Sequence, residues 1–189
     1  NPLTALSLHV QLLDERLGGQ LAGDIDELLG VLKTEVMRLN GVLETFRDFA
    51  AFHTLSLQPT DIVELIDRAV RLVRPQADKQ NVCITLRQPV PLQPAVLLDS
   101  VKFEQVLLNL IINALEAIPQ GGALTIRLSS SNDHQLHVEV SDTGFGIPPE
   151  VQPRIFDPYF TTKSDGVGIG LAWSEKIVRQ HQGEIEFET

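Results

Sequence analysis

The sequence predicts an α+β fold, built as a two-layer α/β sandwich with a mixed sheet and helices on one face, and preceded by an antiparallel helical hairpin. Two observations predict it. The first part of the chain shows only the apolar repeat of helices, whereas the remainder mixes helices with short alternating strands in no regular strand–helix order. With 43% apolar residues in a length of 189, the chain has enough material for a hydrophobic core.

The acidic composition limits the partners that we expect. A formal net charge of −10, without a local basic patch, argues against binding to nucleic acid or to an anionic membrane surface. No apolar run approaches the length of a bilayer span, so we expect these residues to be soluble, as a cytoplasmic domain would be, and membrane anchoring of the parent protein stays open. The single cysteine, Cys83, excludes an internal disulfide and a cysteine metal cluster, and we assign it no function.

Residues 1–53 are predicted to form the helical hairpin. Apolar residues recur on one helical face over residues 3–17, Gly18-Gly19 ends that pattern, and a near-heptad repeat follows over residues 24–49. The seam of such a hairpin leaves one apolar stripe over, which a second hairpin from another subunit would bury. We therefore expect a homodimer through the hairpin, with packing of the hairpin on its own C-terminal domain as the alternative.

The C-terminal domain is predicted over residues 59–189, after a short linker at 54–58. The segment Pro59-Thr60-Asp61 is expected to supply the cap of its first helix, which we predict to end near Val73. Apolar periodicity predicts the remaining elements, which are strands Val82–Leu86 and Ala95–Leu98, helix Ser100–Ile118, strands Leu124–Leu128 and Leu136–Val140 with a loop at Ser129–Asp133, helix Leu171–Gln180 and strand Ile185–Phe187.

The helix Ser100–Ile118 should be largely buried, yet it carries a polar stripe. At 100° per residue the stripe covers an arc of about 80°, and its members are Lys102, Gln105, Asn109, Asn113 and Glu116. The amides of Asn109 and Asn113, one turn apart, suit a hard cation through their oxygens or phosphate oxygens through their donors. A solvated helix face is the alternative reading of the stripe taken alone.

The segment SDTGFGIPPE, residues 141–150, directly follows a predicted strand. Asp142 has the parity of the core residues on that strand, so we expect a buried carboxylate that needs a hydrogen-bond donor. An adenine amino group would supply that donor, and Gly144 and Gly146 would let the backbone approach a flat ring. An ordinary turn after a strand is the alternative.

Residues 154–172, RIFDPYFTTKSDGVGIGLA, read as a mobile lid and are called the lid segment below. The glycines before its helix suit a polyphosphate, because backbone amides and the helix dipole would face the ligand; they are Gly166, Gly168 and Gly170. Lys163, flanked by Thr161 and Thr162, is the natural cation for a terminal phosphate. For the aromatic residues Phe156, Tyr159 and Phe160, core packing is as good an expectation as ligand contact.

The order and spacing of these three elements resemble the catalytic and ATP-binding domain of sensor histidine kinases, part of the ATPase superfamily that includes Hsp90, DNA gyrase and MutL. FEQVLLNLIINALEAI is similar to that family's asparagine box, and DTGFGIPPE to its first glycine box. IFDPYFTTK is similar to the phenylalanine box, and GVGIGLA to the second glycine box. The resemblance of this domain covers residues 59–189.

The resemblance implies ATP and Mg²⁺ as ligands and in-line phosphoryl transfer as the reaction. Asn109 and Asn113 would hold magnesium and phosphates. Asp142 would bind the adenine. Lys163 would bind the terminal phosphates together with Gly168 and Gly170. The other residues of the boxes that would line the nucleotide are Gly144, Gly146, Thr161, Thr162, Gly166 and Leu171.

The hairpin carries a second resemblance, to the dimerisation and histidine-phosphotransfer domain of the same kinases. NPLTALSLHVQLL resembles the end of the histidine box HE[IL]RNPL with the first helix, and LKTEVMRLNGVLETFRDF resembles the second helix. The phosphoacceptor histidine would lie about four positions before Asn1, so these residues alone are not expected to autophosphorylate. The chain would stop at Thr189 within a strand that the family continues. A response regulator receiver domain is the implied partner, and Asn1 takes an implied phosphatase role.

Two other classes of function stay open. One is an interaction module that binds nucleotide without catalysis. The other is an ATPase of the gyrase or Hsp90 type, which needs a carboxylate near the asparagine box to activate water. Gln105 stands one turn before Asn109, with Glu104 beside it, so an amide occupies that place and hydrolysis is disfavoured. Within the second glycine box, Val167 replaces a small hydroxyl residue frequent in the family, which removes one phosphate contact.

Overall fold

The computed structural model describes residues 54–88, 95–130, 135–163 and 166–189. Residues 54–189 form one compact unit. Its helices are α1 (Ile62–Lys79), α2 (Ser100–Ala117) and α3 (Gly170–Gln180), and its strands are β1 (Gln58–Thr60), β2 (Val82–Arg87), β3 (Val96–Leu98), β4 (Gly122–Ser130) and β5 (Leu136–Asp142). The predicted hairpin, with Asn1, lies outside the described residues.

The main sheet is mixed, as predicted, with the strand order β2-β4-β5. Strand β2 runs parallel to β4, and β4 runs antiparallel to β5 with Leu124 opposite Asp142 at one end of the ladder. The short strands β1 and β3 do not join it but form a separate antiparallel pair, which differs from the single sheet that we expected. Strand β1 falls at the end of the expected linker, and three residues are too few to show an alternating pattern.

The core lies between one face of the main sheet and the helices, which confirms helices on one face. Alternate residues of β4 are fully buried, whereas Thr125 and Arg127 between them are half-buried and exposed. Helix α2 packs against α1, α3 and β5. The fully buried side chains of this core include Leu65 and Ile66 of α1, Leu107, Ile111 and Leu115 of α2, and Leu124, Ile126 and Leu128 of β4.

One predicted boundary and one predicted strand are wrong. Helix α1 runs on to Lys79, through Pro75, because Val73 and Ala77 are both buried and keep this part of the helix on the core. No strand forms at residues 185–187, since no described strand pairs with this segment and alternation alone does not make a ladder. The other predicted strands and helices that fall on described residues agree to within a few residues. None of the described helices combines the length and apolarity needed to span a membrane.

A buried carboxylate, Asp99, joins three parts of the unit. As N-cap of α2 it accepts a hydrogen bond from the N–H of Lys102 at 3.2 Å, and its other oxygen accepts one from the N–H of Ser56 at 3.0 Å. Its own N–H donates to Nε2 of His181, just after α3, at 3.0 Å. Burial raises the pKa of Asp99, but the hydrogen bonds from Ser56 and Lys102 and the charge of Lys102 outweigh it and lower that pKa below 3.8.

This network predicts a pH-dependent loss of stability on substitution of Asp99. A carboxylate whose pKa is lowered by folding stabilises the protein above its unfolded-state pKa, and this contribution is lost as the pH falls through the lowered folded-state value. Asp99→Asn should therefore reduce the free energy of unfolding by about 1 kcal/mol at pH 7. In urea unfolding, the difference from the wild type should shrink as the pH drops below 3.8.

Asp61→Asn is the matched control, because Asp61 caps α1 in the same way but is exposed. Asn is an equally good N-cap, so this variant should change the free energy of unfolding by no more than a few tenths of a kcal/mol, roughly. A difference between wild type and Asp99→Asn that stays constant from pH 7 to pH 3 would contradict the assigned network.

Candidate functional site

The polar stripe of α2 is divided between two partners. Towards the N-terminal end of the helix, Gln105 and Asn109 contact α3. Towards the C-terminal end, Asn113 and Glu116 contact the lid segment. The expectation of a largely buried helix holds only for the opposite face, since Gln105 and Glu116 are exposed and Asn109 and Asn113 half-buried. The lid segment and α3 thus both contact the polar stripe of α2.

Asn109 is held in one orientation by α3. Its Nδ2 donates to Oγ of Ser174 at 2.9 Å, and Ser174 is fully buried. Its Oδ1 lies beside Gly170, where an added Cβ would come within 2.3 Å. The missing side chain at Gly170 therefore lets α3 approach α2 this closely. With the amide nitrogen engaged by Ser174, the oxygen is the atom that Asn109 can offer to a cation.

Lys163 lies on the other half of the stripe. Its Nζ donates to Oδ1 of Asn113 at 2.7 Å and forms an ion pair with the carboxylate of Glu116. The backbone N–H of Lys163 donates to Oγ1 of Thr161 at 3.1 Å, whereas Thr162 is exposed. Contacts across 50 and 47 residues thus bring the lysine predicted for phosphate binding next to an amide predicted for metal binding.

Asp142 is exposed, so its predicted burial is wrong. It shares the face of the core residues on β5, as the parity predicts, but it is the last residue of that strand and lies beyond the covered part of the sheet. Its Oδ1 accepts a hydrogen bond from the N–H of Gly144 at 2.8 Å. An added Cβ on Gly144 would lie 2.5 Å from the carbonyl oxygen of Ala117, so this turn needs glycine to pass the end of α2.

The first glycine box continues into an exposed aromatic ring. Gly146 has φ +68°, which favours glycine, and an added Cβ there would lie 2.7 Å from Oγ1 of Thr189. Phe145 has 77% of its surface exposed beside these residues. The carboxylate of Asp142 and the glycine turn therefore face solvent together, where a ligand can reach them.

Two parts of the lid segment, around Tyr159 and Gly168, are held together by a close backbone crossing. Gly168 has φ +71°, and its carbonyl accepts a hydrogen bond from the N–H of Tyr159 at 2.8 Å. An added Cβ on Gly168 would lie 2.5 Å from the carbonyl carbon of Tyr159. An added Cβ on Gly166 would lie 2.4 Å from Oγ1 of Thr161, a side-chain atom that can rotate away. The crossing of the phenylalanine and second glycine boxes therefore requires glycine at Gly168.

The three aromatic residues of the lid segment behave differently. The Phe160 ring lies under the guanidinium of Arg154 at 4.3 Å, and the Phe156 ring is 6.2 Å from that of Phe187. Both rings are half-buried and pack against other side chains, which agrees with core packing rather than ligand contact. Tyr159 is exposed and remains accessible to a ligand.

The start of α3 is suited to anions. None of the side chains that the structure describes caps this helix, which begins at Gly170 after Ile169. The N–H groups of its first turn, including that of the half-buried Leu171, therefore lack a side-chain acceptor at the positive end of the helix dipole. A phosphate oxygen would fill that role.

Magnesium would have to be held mainly by amide and phosphate oxygens. Within the described ranges, no group of three or more His, Cys, Asp or Glu residues is placed to hold a metal ion. The oxygens of Asn109 and Asn113 lie one turn apart on α2, and Mg²⁺ accepts such a site when substrate phosphates and water complete six oxygen ligands. The residues present therefore fit Mg²⁺ bound together with a polyphosphate.

The sequence did not predict Ser174 as a site residue, nor the contact that Glu116 makes. Ser174, which orients Asn109, is a small polar residue on the buried face of α3, and its position one turn after Gly170 is a weak signal. Glu116 was placed on the stripe, but its ion pair with Lys163 joins segments far apart in sequence. Gln105 accepts a hydrogen bond from the indole of Trp173 at 3.4 Å, so the amide takes part in packing α3 on α2.

Comparison with known proteins supplies the family context of this site. Residues 98–189 match the family described as "Histidine kinase-, DNA gyrase B-, and HSP90-like ATPase". The chain is 33% identical over 185 residues to the signal transduction histidine-protein kinase AtoS of Escherichia coli (strain K12). That match covers 98% of this chain and 30% of AtoS, so the chain spans about a third of that relative.

Solved structures agree with the fold. Full-length ShkA in complex with AMPPNP matches with a TM-score of 0.79 and 27% identity, over 95% of this chain and 38% of that chain. The catalytic domain of histidine kinase ThkA is 30% identical with a TM-score of 0.60, over 66% of this chain and 81% of that chain. ThkA has also been solved with the response regulator protein TrrA, with 23% identity, a TM-score of 0.70, and coverage of 97% and 55% respectively.

The close approach of α3 to α2 gives a testable consequence. Gly170→Ala should separate the two helices locally, because the new methyl group would meet Oδ1 of Asn109 at 2.3 Å. We expect the free energy of unfolding to fall by about 1–3 kcal/mol, despite the better helix propensity of alanine. Urea unfolding followed by circular dichroism measures the change.

Gly183→Ala provides the control, since its nearest neighbour would be the side chain of Val178 at 3.1 Å, which can move. This variant should cost less than about 1 kcal/mol. Equal stability of Gly170→Ala and the wild type would show that α3 does not need glycine to reach Asn109.

Proposed function

Because the chain belongs to the histidine kinase family and contains its ATPase-type catalytic domain, we propose that it is the ATP-dependent protein-histidine kinase core of a two-component sensor. It transfers the γ-phosphate of ATP to a histidine that precedes Asn1 in the histidine box, and from there to an aspartate of a response regulator. The observation that carries this proposal is the position of Lys163 on α2 beside Asn113, with the start of α3 held next to Asn109.

Each part of the nucleotide has a matching group. Asp142 accepts a hydrogen bond from the adenine amine, and its exposure supports this role because a ligand can reach it. Lys163 and the N–H groups at Gly168 and Gly170 bind the terminal phosphates. Asn109 and Asn113 would hold Mg²⁺ through their amide oxygens, and a metal ion bound there would supply neutralisation of charge on the phosphoryl group.

The residues of this chain contribute mainly by position. Ser174 orients the amide of Asn109, and the hydrogen bond from Tyr159 to Gly168 holds the backbone just before α3. Such preorganised groups lower the barrier because they need no rearrangement when charge develops on the phosphoryl group. The aromatic packing of Phe156 and Phe160 supports the same segment from the protein side.

Residues 1–53 complete the proposal as the dimerisation and histidine-phosphotransfer hairpin, joined through 54–58 to the catalytic domain at 59–189. Their near-heptad repeat supports a homodimer, because a paired hairpin buries the stripe that a single one leaves exposed. The partner is a response regulator receiver domain, as the complex of ThkA with TrrA illustrates for that relative.

A hydrolytic ATPase is the weaker candidate. The position one turn before Asn109 holds Gln105, an amide engaged with Trp173, rather than a carboxylate that could activate water. Glu104, beside it, lies 3.9 Å from the guanidinium of Arg68 on α1 and is not part of the stripe. A module that binds nucleotide without catalysis is disfavoured by the placement of Lys163 against Asn113.

Phosphorylation of the chain extended upstream through the histidine box tests the function. Incubation with γ-labelled ATP and Mg²⁺ should give acid-labile, base-stable phosphoprotein, and chelation of Mg²⁺ should abolish it. Asp142→Asn should weaken ATP binding about 10- to 100-fold, since a hydrogen bond to a charged group contributes about 1.5–3 kcal/mol. Calorimetric titration with ATP measures that loss.

Asp67→Asn is the control for Asp142→Asn, because it removes another exposed carboxylate, on α1, and should leave ATP affinity unchanged. Release of free phosphate without phosphoprotein would favour the ATPase over the kinase. Nucleotide binding with neither product would favour the non-catalytic module.

For Asn1 we propose a role in dephosphorylation of the regulator, on the basis of its place at the end of the histidine box. Asn1→Ala in the extended chain should slow loss of phosphate from the phosphorylated regulator and leave phosphorylation of the kinase intact. Dephosphorylation at the wild-type rate would remove this role.

A further inference from the structure

Lys163 is held by two side chains of α2 rather than by one. Asn113 and Glu116 are three residues apart on the same face of the helix, and both contact the ammonium group. Only Asn113 has a counterpart in the nucleotide-binding roles assigned above. The ion pair with Glu116 therefore needs its own explanation.

Stability does not explain this ion pair. The side chains of Lys163 and Glu116 are 48% and 43% exposed, and exposed pairs of this kind contribute about 0–1 kcal/mol. What the pair does restrict is the position of the charge, because a lysine carries its ammonium on a flexible four-carbon stem. An ammonium group has three donors, so one remains beyond those used by Asn113 and Glu116.

The two anchors differ in how they tolerate a bound metal. An amide oxygen that takes a divalent cation cannot keep an ammonium group at 2.7 Å, because the two positive charges repel. Glu116 is negatively charged and remains a partner for Lys163 when Asn113 is used elsewhere. Conversely, without the Lys163 charge the Glu116 carboxylate would repel an incoming polyphosphate.

We propose that Glu116 is a positioning residue for phosphoryl transfer: it holds the Lys163 ammonium on α2, where the terminal phosphate of the nucleotide arrives. This inference rests on the proposed kinase function and adds to it a residue that acts only through Lys163. The carboxylate restricts the position of the Lys163 ammonium group, and the positive charge of Lys163 offsets the repulsion between the carboxylate and the phosphates.

Three readouts test the proposal in the upstream-extended chain: calorimetric ATP affinity, the single-turnover phosphorylation rate at saturating ATP, and hydrogen exchange of the amides of residues 161–163 without nucleotide. Glu116→Gln should lower the rate roughly tenfold, less than the about 100-fold that a 1 Å misplacement can cost. ATP affinity should change less than about threefold, since an exposed pair contributes little binding energy. Exchange at residues 161–163 should accelerate.

Glu139→Gln is the matched control, because Glu139 pairs with Arg127 on the sheet and this pair has similar exposures of 52% and 49%. It should alter none of the three readouts. Glu116→Asp keeps the charge on a shorter side chain and should recover most of the lost rate. In a Lys163→Met background, Glu116→Gln should cause no further loss of rate.

The outcomes separate this inference from the kinase proposal. Unchanged rate and unchanged exchange in Glu116→Gln would overturn the positioning role, and so would an equal loss of rate with and without Lys163. Absence of phosphoprotein from the wild type would overturn the kinase function alone. In that case, accelerated exchange in Glu116→Gln would still support the anchoring of Lys163, and unchanged exchange would refute it.

Discussion

The packing of α2 on the main sheet is the interaction on which the site depends. Leu107, Ile111 and Leu115 are fully buried on one face of this helix, and each such side chain contributes about 1.5–3 kcal/mol relative to an exposed one. Because successive residues turn by 100°, burying that face fixes the direction of every other residue on the helix. The side chains of Asn109 and Asn113 therefore leave the helix on the side of α3 and the lid segment, where Ser174 and Lys163 contact their amide groups.

A net charge of −10 makes the local arrangement of positive groups decisive for a polyanionic ligand. The protein as a whole repels phosphates, so attraction must come from short-range groups at the site. The structure provides them in three forms, which are the ammonium of Lys163, the uncapped first turn of α3 and the oxygens of α2 that suit a divalent cation. Glycine allows these groups to come together, because a side chain at Gly170 would collide with Asn109 and one at Gly168 would collide with the backbone of Tyr159.

The sequence predicted the mixed sheet, α2 and α3 because long periodic segments report which face is buried. Shorter or unpaired segments carried less information. Strand β1 has three residues and no period, and the alternation at Ile185–Phe187 suited a strand for which the described residues offer no partner. Parity placed Asp142 on the correct face of β5, but it does not report how far the core extends along a strand, and this carboxylate lies beyond it. Spacing likewise identified the stripe on α2 without showing that Glu116 meets Lys163, because contacts across 47 residues leave no local pattern.

The two halves of the stripe differ in how easily their contacts can be replaced. Asn109 satisfies Ser174, which is fully buried, and a buried polar group left without a partner costs about 1–3 kcal/mol. Lys163 is 48% exposed, and exchanging its contact with Asn113 for a contact with ligand costs little. A nucleotide can therefore recruit Lys163 without disturbing the packing of α3 on α2. The same helix thus presents a permanent contact that defines the site and an exchangeable contact that responds to its ligand.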